Sequence, residues 1–110
     1  MLYCITANYT PNALQAMAKN PNFKRSEAVE KLVTAAGGKL VAMYGTIVDG
    51  PGAMAIIDVD PSVAPAIAAL VASSDGVHNV RAQRLFTMDE VVAVRQMRAR
   101  LQASYMPPGQ

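Results

Sequence analysis

Few residues in this 110-residue chain carry usable chemistry. His78 is the only histidine, and therefore the only side chain whose ordinary pKa lies near neutrality, so it is the acid/base candidate. It sits beside the Asp75-Gly76 turn, and the plainer reading is an exposed residue at the start of a strand. Cys4 is the only thiol. A nucleophilic cysteine needs a histidine or cation that lowers its pKa, and none is near it in sequence, so Cys4 reads as a small buried hydrophobe. Among the seven methionines, Met43 and Met54 would have to join Cys4 and His78 to make a soft copper or haem site. No ligand spacing supports one, and methionine as a filler of core gaps is the simpler account. The expectation is no metal site and no cofactor.

The ligand-binding constellation drawn from the sequence is Asn8, Tyr44, Arg81 and Arg84. A guanidinium clamps a carboxylate or phosphate through two parallel hydrogen bonds, while Tyr and Asn fix orientation in an otherwise apolar pocket. Arg81 and Arg84 are three residues apart on one strand, so their side chains leave opposite faces and at most one enters a given cavity. The competing account has both arginines laying their stems along an edge strand with the charges in water. No set of nucleophile, base and orienting group is visible, which leaves catalysis undetermined.

The elements that must position these residues are legible from pattern. Gly37 to Asp60 is a hairpin: Leu40–Ile47 and Ala53–Val59 are rich in β-branched and aliphatic residues, and Asp49-Gly50-Pro51-Gly52 between them breaks regular structure. Met54-Ala55-Ile56-Ile57 does not alternate, so both faces of that strand are expected to be covered. Leu2–Tyr9 is an apolar strand with Tyr3, Ile5, Ala7 and Tyr9 on one face and Cys4, Thr6 and Asn8 on the other, the second set being a candidate polar lining. Thr10-Pro11 is an N-cap with proline at the first helical position. Asn20-Pro21-Asn22 interrupts that helix, and Val29, Leu32, Val33 and Ala36 resume it until Gly37-Gly38. Asp60-Pro61-Ser62 is expected to start the next helix, with Val63, Ile67, Leu70 and Val71 as its apolar face and an end at Ser73-Ser74-Asp75-Gly76. Val77–Phe86, carrying Arg81, Gln83 and Arg84, is polar enough for an edge strand. Thr87-Met88-Asp89-Glu90 forms a capping box before a last helix striped by Val91, Val94, Met97 and Leu101. Helices one and two are expected on one sheet face, with the last helix packed separately through Val94, Met97 and Leu101.

The resulting order, strand-helix-strand-strand-helix-strand plus a terminal helix, is the α+β ferredoxin-like βαββαβ antiparallel sheet. NYTPNAL at Asn8–Leu14, EAVEKLVTAAGGKLVAMY at Glu27–Tyr44, AMAIIDV at Ala53–Val59 and LFTMDE at Leu85–Glu90 resemble the GYD domain family over nearly the whole chain. The resemblance implies the dimeric α+β barrel superfamily, in which open sheet faces of two subunits enclose a cavity. It implies little about function. The family's Gly-x-Tyr-Asp signature would fall near Asp49–Gly52, where Pro51 and Gly52 stand in the Tyr and Asp positions, so that phenol and carboxylate are not carried over.

Composition narrows the function classes. At 52% hydrophobic residues the chain supports one core, so residues 1–105 read as a single domain and 106–110 as a flexible tail. A net charge of +2 with 16% charged residues is too weak a field to recruit nucleic acid or a membrane. Ala53–Val59 also has no aromatic residue to stack an RNA base. The N-terminus lacks a basic, then apolar, leader, and no run approaches the roughly 18 apolar residues of a membrane span. With a lone cysteine, the cytoplasm is the expected compartment. Two helices cover one side of four strands, so the chain is expected to partner itself as a homodimer or higher multiple. The expected function is small-molecule binding in a cavity at a sheet-to-sheet interface. The alternatives are an assembly protein without catalysis, or a cofactor-independent isomerase or monooxygenase-type enzyme.

Overall fold

The computed structural model describes residues 1–110. β1 (Leu2–Tyr9) is followed by α1 (Pro11–Ala18) and α2 (Arg25–Ala35); then come β2 (Lys39–Thr46), β3 (Gly52–Asp58), α3 (Ala64–Ala72), β4 (Val77–Leu85), α4 (Met88–Leu101) and a short 3-10 turn, Gln102–Ser104. The sheet order is β2-β3-β1-β4 with every pair antiparallel, the ferredoxin-like arrangement expected. β4 is an edge strand, as its polarity implied.

Local chemistry explains the joints. Thr10 Oγ1 accepts from the Ala13 amide at 3.2 Å, and its hydroxyl donates to the Asp75 carbonyl at 3.0 Å, so the cap of α1 also ties down the loop before β4. The Pro21 interruption divides α1 from α2. At the end of α2, the Gly37 amide donates to Thr34 O at 3.0 Å and the Gly38 amide to Val33 O at 2.9 Å, with Gly37 at φ +80°. That pair of bonds satisfies carbonyls the helix end would leave unpaired. Gly38 has a second reason to be glycine: a Cβ there would sit 2.4 Å from Val59 Cγ1 and 2.5 Å from Asp58 O.

The core lies between the sheet and α2/α3. Val33 and Ile57 are each 1% exposed, and Ile5, Val59, Ala64 and Ile67 complete the cluster. Burying each large aliphatic side chain contributes about 1.5–3 kcal/mol. α3 departs from expectation in two respects. Asp60 Oδ1 accepts from the Ser62 amide and hydroxyl at 2.9 and 2.6 Å, which holds 60–63 as a turn and delays the helix to Ala64. The buried face of α3 centres on Ala64 and Ile67, with Val71 beside them, and this rotates Leu70 outward to 56% exposure.

α4 is the larger correction. Its capping box forms, with Glu90 N to Thr87 Oγ1 and Thr87 N to Glu90 Oε1 both at 3.1 Å. Yet α4 buries no residue, and Val94, Met97 and Leu101, expected to pack it, are 55%, 47% and 56% exposed. The radius of gyration is 17.9 Å and the molecule measures 60 × 33 × 21 Å. A compact chain of this length has a radius near about 13 Å, so α4 is an arm rather than a layer. Arg98 stands beside Val94, Met97 and Leu101 on α4 and narrows the apolar stripe.

Candidate functional site

The face of the sheet opposite the helices is open, and strand register arranges its side chains in rows. One row crosses all four strands as Tyr44, Met54, Thr6 and Arg81. The next towards the β2–β3 loop is Thr46, Gly52, Asn8 and His78, and the one on the other side is Ala42, Ile56, Cys4 and Gln83. Two irregularities shape this face. Val41 is bulged out of the β2/β3 ladder and is 50% exposed. In β4, pairing shifts between Thr6 and Asn8, where Asn79 adopts φ +56°, a left-handed conformation asparagine tolerates better than most residues.

A depression of about 260 Å³ lies on this face, lined by Thr6, Thr46, Met54, Asp49, Asn79 and Arg81, with Asn8 in its floor. Of the β1 face read as a candidate polar lining, Thr6 and Asn8 border it and Cys4 does not. Asn8 is only 6% exposed. Its Nδ2 donates to Val48 O at 2.8 Å and Gly50 O at 3.1 Å, and its Oδ1 accepts from Asn79 Nδ2 at 3.0 Å. Both amide hydrogens of Asn8 are thereby committed to the β2–β3 loop, which leaves only acceptor capacity for a ligand. Arg81 is exposed, pairs in register with Thr6, and belongs to neither ion pair of the chain. Its five donors are free for an anion.

The other sequence candidates are placed as follows. Tyr44 shares the row of Arg81 at the far edge, three strand spacings or about 14 Å away. It is 62% exposed and forms a rim rather than the depression. His78 is exposed on β4 opposite Asn8. Arg84 does not share this face: it pairs in register with Tyr3, on the helix side. There it forms an ion pair with Glu90, and its guanidinium lies 4.3 Å from the Phe86 ring centroid. Arg84 thus anchors the start of α4. The backbone amide of Thr87, then the Arg84 charge, hold the Glu90 carboxyl below the usual range for glutamate. Cys4 lies in the open-face row but is 5% exposed, and burial pushes its thiol pKa up, the opposite of what activates a nucleophile. No three His, Cys, Asp or Glu side chains converge on one point.

Thr46, Asp49 and Asn79 were missed by sequence reasoning. Thr46 was recoverable by extending the β2–β3 pairing to its last rung. Asn79 had a weaker signal, an asparagine inside a strand, and its bond to Asn8 spans 71 positions of sequence.

No helix is long and apolar enough to cross a membrane. No curated protein matches the chain. The family model for the GYD domain matches residues 3–95, which takes in all four strands, but for Leu2 of β1, and more than half of α4. The chain belongs to the GYD domain family.

Proposed function

We propose that this protein is a homo-oligomer, most simply a twofold pair, whose open sheet faces meet and enclose a small-molecule site centred on Arg81 and Thr6. The observation that carries the reading is one row of residues, Tyr44-Met54-Thr6-Arg81, which sets apolar surface beside an unpaired guanidinium on a face no helix covers. Apolar Met54 and Ile56 favour contact with a second sheet, while Thr6, Thr46 and Arg81 favour a polar ligand trapped between them. The ligand class is a small anion, a carboxylate or phosphate, because a guanidinium with free donors recognises planar or tetrahedral oxyanions.

Binding is favoured over catalysis, since the one thiol is buried with a raised pKa. The test is native mass spectrometry of the purified protein, followed by titration calorimetry with inorganic phosphate and malonate. The expected results are a mass of two chains or a multiple, with either an adduct released on denaturation or saturable binding of a probe. Arg81→Gln should abolish binding and Tyr44→Ala should weaken it, both without unfolding. An oligomer that carries no adduct and binds neither probe would support the assembly reading.

A further inference from the structure

The other side of the sheet carries a second cavity, separate from the open face. It holds about 100 Å³ between the sheet and helices α2 and α3. Its origin is legible in the residues: Ala7, Ala53 and Ala55 occupy helix-facing positions of the two central strands, and Ala28 faces them from α2. At those positions a close-packed core would carry larger side chains. α1, the helix nearest in sequence to β1, buries none of its residues and so does not fill the space. The walls are aliphatic, with Met43, Val29 and Val71 among them.

Two residues with polar ends stand in this otherwise aliphatic lining, Tyr9 and Arg25. Arg25 is exposed, which places it at the rim, and it takes part in neither ion pair of the chain. It is also the first residue of α2, an 11-residue helix whose N-cap, Lys24, makes no side-chain capping bond. The rim therefore combines a free guanidinium, a neighbouring ammonium and the positive end of an uncapped helix, against one carboxylate in the same first turn, Glu27. Apolar depth beneath a cationic rim is complementary to a molecule with a hydrocarbon tail and a carboxylate head. The volume sets the tail length: an apolar cavity of about 150 Å³ takes one six-carbon benzene, so about 100 Å³ suits a tail of about four carbons.

We infer that the cavity between α2, α3 and the sheet is a binding site for a short-chain aliphatic acid, its tail among Ala53, Ala55 and Met43 and its carboxylate at Arg25. The site lies on the opposite side of the sheet from Arg81, so it stands or falls independently of the open-face reading.

The test is methyl NMR of the full chain titrated with sodium pentanoate, with 1-pentanol as the uncharged counterpart. Pentanoate should move the Met43 and Ile57 methyl signals saturably and leave those of Met54 and Ile56 in place. It should bind about threefold or more tighter than pentanol, the scale of one exposed ion pair. Arg25→Gln should remove that preference while pentanol binding persists. Ala55→Leu should fill the cavity and abolish the saturable shifts; should that variant not fold, Ala53→Val is the smaller filling substitution with the same expected direction. No saturable shift at Met43, or shifts confined to Met54 and Ile56, would overturn the site. Equal affinity for pentanoate and pentanol would overturn the acid.

Discussion

Asn79 Nδ2 donates to Asn8 Oδ1 at 3.0 Å, joining the edge-strand bulge to the residue that pins the β2–β3 loop. The floor of the open-face depression is therefore built by a chain of side-chain amides running from β4 through β1 to the loop. Tyr9 N to Pro51 O at 3.0 Å adds a backbone tie beside it. The left-handed Asn79, the bulge and the left-handed Asp49 and Gly50 of the loop are parts of one device that fixes the rim beside Arg81.

Removing the centre of that device should cost stability. Asn8→Ala leaves the Val48 and Gly50 carbonyls and the Asn79 amide without partners in a half-buried place, a loss of about 1–3 kcal/mol. Asn8→Asp should be worse at neutral pH, because an oxygen would then face two carbonyl oxygens. Urea denaturation of both variants checks the order, and an Asp variant as stable as wild type would contradict it.

Gly38 makes a sharper steric prediction. Its missing Cβ would lie within 2.5 Å of both Val59 Cγ1 and Asp58 O, and the backbone contact cannot turn aside as a flexible side-chain end can. Gly38→Ala should destabilise by about 1–3 kcal/mol through overpacking. Gly37→Ala meets nothing within 4 Å, so its cost is only that of φ +80° for a residue with a Cβ. Thermal melts should therefore rank Gly38→Ala below Gly37→Ala.

How much of this was legible beforehand depends on the range of the interactions involved. The order of strands and helices along the chain and the limits of β1 followed from residue patterning, and the α2 stop followed from a glycine pair, all local signals. The opposition of Arg81 and Arg84 was also legible, since faces alternate along a strand. The row joining Tyr44 to Arg81 was not, because it depends on register across three strand pairs, two of them containing a bulge. The exposure of α4 was missed because a stripe of Val94, Met97 and Leu101 states that a helix has an apolar face without stating what that face meets. The void beneath Ala53 and Ala55 was hidden for a related reason: alanine in a strand reads as apolar, while its small volume matters only once the helix opposite is placed.

The attachment of α4 should depend on pH. The Glu90 carboxyl is held below its ordinary range first by the Thr87 amide and also by Arg84, so its folded pKa lies under the unfolded value. Its contribution is fully present above the ordinary glutamate pKa of about 4.3 and is lost as pH falls through the lowered folded value. Acidification in that window should fray the first turn of α4, read as loss of amide protection at Glu90 and Val91 in hydrogen exchange. Thr87→Ala should produce the same fraying at neutral pH, since it removes the acceptor 3.1 Å from Glu90 N. Equal protection at neutral and acidic pH would remove the capping box as the hinge of the arm.

Met54 and Ile56 are half-buried on an open face, Tyr44 and Val41 are 62% and 50% exposed near them, and the arm adds the stripe of Val94, Met97 and Leu101. A monomer would leave both surfaces in water. If half of a standard interface of about 800 Å² per partner is apolar, burial at about 25 cal/mol per Å² supplies on the order of 10 kcal/mol from each partner, before association costs. An isologous pair closes on itself and leaves no further open sheet, which favours twofold symmetry over a chain of copies. Sedimentation at micromolar concentration should give twice the 11.7 kDa chain mass or a multiple of it. Ile56→Glu places a charge in the middle of the sheet-to-sheet contact and should split the pair. Met97→Ser with Leu101→Ser, which alters only the arm, should weaken association without changing its symmetry. A wild-type chain that stays monomeric and soluble on concentration would remove the sheet-to-sheet pair. A dimer lost on the arm substitutions but untouched by Ile56→Glu would move the interface from the sheet to α4.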